Sequence, residues 1–117
     1  MVGTNEDAWG KGGVEGKARF RVGQLIHHRL FDYRGVIVDA DATFQGTDEW
    51  YDAVARSRPP KNKPWYQVLV HDATHTTYVA ERHLEVESDP APIRHPLLDH
   101  FFDELRDGRY RRTRSLN

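Results

Sequence analysis

Phe20-Arg21-Val22-Gly23-Gln24-Leu25-Ile26-His27-His28, followed after a short break by Tyr33-Arg34-Gly35-Val36-Ile37-Val38-Asp39, is the stretch that decides the fold. Gln24 to Leu30 combines large and β-branched residues, and Gly23 just before it can take a positive φ that other residues resist. Phe31 to Gly35 supplies a hairpin connection, with Gly35 opening the next strand. Val36-Ile37-Val38 is a short apolar run of β-branched residues, which places this strand in the sheet centre with both faces covered.

Downstream, Asp41 to Lys63 is too long for a turn and calls for structure of its own. Thr47 followed by Asp48 and Glu49 has the form of an N-cap with acids in the first helical turn. Trp50, Tyr51, Val54 and Ala55 then fall on one stripe, so a two-turn helix over Asp48 to Arg56 is expected, ended by Pro59-Pro60. That helix would lid one end of a barrel. Trp65 to His71 alternates as a half-buried strand, Asp72-Ala73-Thr74 turns, and His75 to Ala80 returns as its partner. Ala80 to His83 suggests one helical turn before a last strand, Leu84-Glu85-Val86. Beyond Pro90, Pro92 and Pro96, the residues Leu97, Leu98, Phe101, Phe102 and Leu105 predict a C-terminal α-helix stopped at Gly108. Its apolar face must pack on the barrel or on another subunit, so a homo-oligomer is expected.

The pattern is therefore that of a mainly β protein: a small, SH3-like, partly open β-barrel with a short inserted helix and a C-terminal helix. Residues 1–16 form a disordered extension with Trp9 as its one potential anchor, 17–88 the barrel, and 89–117 the helix with a basic tail.

Composition narrows the function. The 117 residues suffice for one domain, and the hydrophobic and charged fractions of 38% and 30% describe a water-soluble chain with a small core. There is no apolar window long enough to span a membrane, no secretory pattern at the start and no cysteine, so a cytoplasmic location without disulfides is expected. The formal net charge of −1 hides two basic stretches. Arg56, Arg58, Lys61 and Lys63 are flanked by Trp50, Tyr51, Trp65 and Tyr66, a combination suited to phosphates and base stacking, although such aromatics more often serve the core. Arg109, Arg111, Arg112 and Arg114 sit in a tail that reads as a polyanion-binding arm, a docking peptide or degron, or simply a solvated end. With Arg34, these are the candidate polyanion or partner contacts.

Catalytic patterns are missing. Ser57, Ser88 and Ser115 lack any nucleophile signature, and Asp39 and Asp41 suit a turn better than an acid–base pair. His71 and His75 bracket a turn with no third ligand indicated, short of what zinc requires. No phosphate-binding glycine motif occurs. Neither an enzyme nor a cofactor is expected.

The opening stretch, together with Pro64-Trp65-Tyr66-Gln67-Val68-Leu69-Val70 and Thr77-Tyr78-Val79-Ala80-Glu81, resembles the YccV-like, hemimethylated-DNA-binding family that includes the HspQ-type heat-shock proteins. The likeness runs over about Lys17 to Leu84, and the Arg-rich ending is similar as well. It implies the same SH3-like barrel and a non-enzymatic cytoplasmic stress protein. It also implies two activities: promoting protein degradation by the Lon protease, and binding hemimethylated DNA. The expected partners are Lon or its substrates, with the degradation role favoured and a DNA-binding regulator as the alternative. No catalytic residue follows from the resemblance.

Overall fold

The computed structural model describes residues 17–113; the expectations for residues 1–16 and for Arg114 lie outside them. Seven strands occur among the described residues: β1 (Leu25–His28), β2 (Arg34–Asp41), β3 (Trp65–Val70), β4 (Thr76–Ala80), β5 (Leu84–Val86), β6 (Glu104–Arg106) and β7 (Arg109–Arg111). Five form one antiparallel sheet in the order β4-β3-β2-β1-β5, and β6 and β7 form a separate hairpin. This is the expected mainly β, partly open architecture. No helix among the described residues is long and apolar enough to cross a membrane.

β2 lies in the middle of the sheet, as its sequence requires. Val36 and Ile37 are both fully buried but face opposite sides. Ile37 joins Phe20, Ile26, Tyr66, Val68 and Leu84 inside the curled sheet, whereas Val36 joins Leu25, Leu69, Ile93, Phe102 and Tyr110 outside it. The pairing of β2 with β3 slips by one residue between Ile37 and Asp39. Strand side chains alternate, so without this bulge Ile37 and Ala40 would face opposite ways. The extra residue returns Ala40 to the inner core beside Tyr66, and a bulge also adds the local bend that curls a sheet.

The insertion forms α1 (Asp48–Val54), with the Thr47 hydroxyl accepting from Trp50 N at 3.0 Å, as the capping pattern predicts. Tyr51, Trp50 and Phe44 pack on Trp65 and Tyr78 at the end of the sheet, in edge-on and tilted ring contacts. Glu81 to His83 make the expected helical turn.

The C-terminal helix requires correction. It is one turn, α2 (Leu98–Phe101), and Phe102 is already extended. Asp107 and Gly108 both have positive φ, 55° and 75°, the geometry of a tight two-residue hairpin turn. Gly108 thus turns a hairpin instead of stopping a helix, and Leu105 pairs with Tyr110 across it. Tertiary contact favours this outcome. The Tyr110 hydroxyl accepts from Ile93 N at 2.9 Å, and its ring packs 5.5 Å from that of Phe102. The segment thereby covers the outer face of the sheet.

The hairpin is anchored at Gly23, whose carbonyl accepts from Tyr110 N at 2.8 Å and whose φ is 91°. A Cβ at position 23 would collide with the Tyr110 carbonyl oxygen, whereas one at Gly108 would meet nothing within 4 Å. Gly23→Ala is therefore expected to cost well beyond the roughly 1 kcal/mol of Gly108→Ala, since it adds a backbone clash to the same φ penalty. Urea denaturation of the two variants checks this, and equal midpoints would show that the close approach matters little.

Candidate nucleic-acid interface

The candidate cations divide into those that hold the fold together and those left at the surface. Arg34 belongs to the first group. Its guanidinium donates to the carbonyls of Asp89 and Ala91 and lies 3.7 Å from the Glu87 carboxylate, fastening the proline-rich connection to β2. Arg112 donates to the carbonyls of His100 and Phe101 and so caps the C-terminal end of α2. Arg58 and Lys61 pair with the α1 carboxylates of Asp52 and Asp48 at 2.9 and 3.0 Å. Both also lie over the Tyr51 ring. Arg56 and Lys63 are exposed and form no ion pair among the described residues.

Arg109 and Arg111 lie on β7, with the Arg109 guanidinium donating to the Val22 carbonyl at 3.3 Å. Burial, then the charges of Arg111 and Arg21, lower the Arg109 pKa, so these three arginines form a like-charged cluster. Of the apolar residues considered for self-association, Phe102 is buried, while Leu98, Phe101 and Leu105 pack beside it on the outer core. Only Leu97 is exposed.

Two further cations lie on chain segments that meet at the 81–83 turn. Arg29 N donates to the His83 carbonyl at 2.8 Å, extending the β1–β5 pairing past His28↔Leu84. Arg82 donates to the Ser57 carbonyl at 2.8 Å, and the Ser57 hydroxyl is 3.0 Å from His83 Nε2. Glu81 N donates to the Pro64 carbonyl, placing Lys63 beside the same turn. The tip of the β1–β2 hairpin, the 81–83 turn and the loop carrying Arg56 and Lys63 therefore meet. Arg29 and Arg82 form no ion pair with any described residue. Sequence reasoning missed both because their value comes from strand pairing; the signal was the adjacency of β1 and β5.

Beneath this face lies a stacked aromatic group. His28 is 3% exposed, with its ring 4.7 Å from Phe31 and 5.6 Å from His83, both nearly parallel to it. Its Nδ1 accepts from the backbone N–H groups of Leu30 and Phe31 at 3.1 and 3.0 Å. Two donors on one ring nitrogen require that nitrogen to be unprotonated. Burial, with the neighbouring His83 and His27, pushes the His28 pKa down to about 4. His27 behaves oppositely. Hydrogen bonds to Asp32 at 2.6 Å and Glu85 at 2.8 Å raise its pKa, with burial opposing. His71 and His75 have separate roles: His71 Nδ1 accepts from Arg94 N, and the His75 carbonyl accepts from His95.

A family model for hemimethylated DNA-binding proteins, YccV-like, matches residues 18–109. The chain belongs to this YccV-like family. The matched span takes in the whole five-stranded sheet, the inserted helix and the first residue of β7. It therefore includes every residue of the face around His83.

Opposite titrations are expected for the two adjacent histidines. The raised pKa of His27 means its ion pairs contribute to stability below pH 6.5 and are lost as pH rises through the folded value. The neutral form of His28 contributes above 6.5 and is lost as pH falls toward 4. Side-chain NMR titration should place the His27 midpoint above 6.5 and that of His28 near 4. Coincident midpoints would contradict the hydrogen-bond assignment.

Proposed function

We propose that this protein is a non-enzymatic, cytoplasmic DNA-binding protein that engages duplex DNA through the face built from Arg29, Arg82, Arg56 and Lys63. The observation that carries the reading is the convergence of these unpaired cations from three chain segments, in a protein of formal charge −1. Cations already matched by carboxylates gain little from a phosphate, because the pair must first be broken; Arg29, Arg56 and Lys63 lose only water, and Arg82 gives up at most its bond to the neutral Ser57 carbonyl. Membership of the hemimethylated DNA-binding family supports the same substrate.

Binding to a short duplex across a salt series tests this proposal. Arg29→Ala/Arg82→Ala is expected to weaken binding about tenfold or more near physiological salt. It should also flatten the salt slope by about two, one for each phosphate no longer neutralised. Arg34→Ala should instead lower stability, since Arg34 acts as a clamp. An unchanged slope in the double variant would place the interface elsewhere.

The second reading is an accessory role in protein degradation by the Lon protease. It is favoured by one observation: Leu30 and Phe31, at the hairpin tip, are 60% and 71% exposed and offer an apolar contact to a protein. Turnover of a model substrate by Lon, with and without this protein, tests it, and no change in rate removes it. Self-association rests mainly on Leu97 among the residues first considered for it. A monomer mass that stays constant with concentration in ultracentrifugation would remove that proposal.

A further inference from the structure

We infer that the hairpin tip formed by Leu30 and Phe31 is the reader of a base methyl group, inserted into the major groove while the surrounding arginines hold the phosphates. The inference rests on the DNA-binding reading above and gives that site its specificity element.

A methyl group on a base adds a small apolar projection to a groove floor otherwise lined by hydrogen-bonding atoms. It can be favoured only by an apolar side chain that reaches it and excludes water there. The groove is about 12 Å wide. β1 and β2 are each paired on their other side, to β5 and β3, so what would enter it is the connection beyond those pairings, Leu30 to Asp32. Leu30 and Phe31 are the large apolar side chains at its tip, and both are exposed. Val22, Val54, Val86 and Leu97 are also exposed, but they lie outside this connection.

The tip is also held in one shape. Asp32, at φ 56°, closes the turn with its N–H donated to the His28 carbonyl. The His28 ring fixes the Leu30 and Phe31 amides from below and stacks under the Phe31 ring at 4.7 Å. An exposed aromatic ring would ordinarily lose rotamer freedom on binding; here much of that loss has already been met in the free protein.

Charge agrees with this placement. Arg29 adjoins Leu30, and Arg82 follows at the pairing of the hairpin with the 81–83 turn. The connection's carboxylate, Asp32, is held 2.6 Å from His27, whose raised pKa favours a positive charge that Asp32 shares with Glu85 at 2.8 Å.

The test uses the full chain with matched duplexes that are unmethylated or carry one N6-methyladenine or one 5-methylcytosine on one strand. The wild type should prefer one methylated form by about fourfold, the value of burying one methyl group. Leu30→Ser/Phe31→Ser should bind all duplexes equally while keeping the wild-type salt slope, and Phe31→Leu should keep the preference. If the serine variant retains the preference, the tip is not the reader, even if it has lost an effect on Lon. If the wild type binds every duplex equally, methyl reading is refuted while DNA binding stands. If it binds none, both readings fall.

Discussion

Strand β2 has to be buried on both faces, and most of the molecule is arranged to do it. Val36 and Ile37 are adjacent, so their side chains leave the sheet in opposite directions. A five-stranded sheet can cover one of them by curling, which it does around Tyr66, Phe20 and Leu84. Covering the other needs additional chain, and that is the role of Ile93, Phe102 and Tyr110. Fully burying aliphatic side chains of this size is worth about 2 kcal/mol each, so leaving the outer face bare would sacrifice much of a small domain's stability. The proline-rich connection, the one-turn helix and the terminal hairpin are therefore part of the core, with Gly23 and Arg34 among the points that tie them to the sheet.

Where local pattern and tertiary need agree, the sequence was readable. The first hairpin, the Thr47 cap, the strands from Trp65 to Val86 and the short turn at Glu81 all follow from alternation, capping and turn chemistry. The C-terminal segment misled because its apolar residues satisfy two periodicities. Leu97, Leu98, Phe101 and Phe102 fit a helical stripe, yet Asp107-Gly108 between Leu105-Arg106 and Arg109-Tyr110 is equally a hairpin signal. The deciding factor was distant: Tyr110 has to reach Ile93 and Phe102, and a continuing helix would carry it away. The basic face was harder still, since Arg29 and Arg82 are 53 positions apart and become neighbours only through the β1–β5 pairing.

Counting charges along the chain also overstated the available basic surface. Arg34 and Arg112 spend their donors on backbone carbonyls, and Arg58 and Lys61 face helix carboxylates. Arg94 and Arg106 face Asp72 and Glu104 at 2.8 Å, so what distinguishes Arg29, Arg56 and Arg82 is the absence of a competing acid among the described residues. The histidines supply a different kind of control. His28 must stay neutral to hold the hairpin tip, whereas His27, next to it in sequence but on the other side of the strand, is biased toward its charged form.

The pairing of Asp41 with Trp65 across β2 and β3 closes the base of the long insertion. Its two ends are thus fixed by the sheet itself, whatever the chain does between them. Because the entropy of closing a loop grows only slowly with length, residues could be added or removed beyond that base at little thermodynamic penalty, provided Trp65 still has an aromatic cover. The barrel can therefore act as a fixed frame around a segment whose size is free to change, letting the surface beside Arg56 and Lys63 diversify without altering the core.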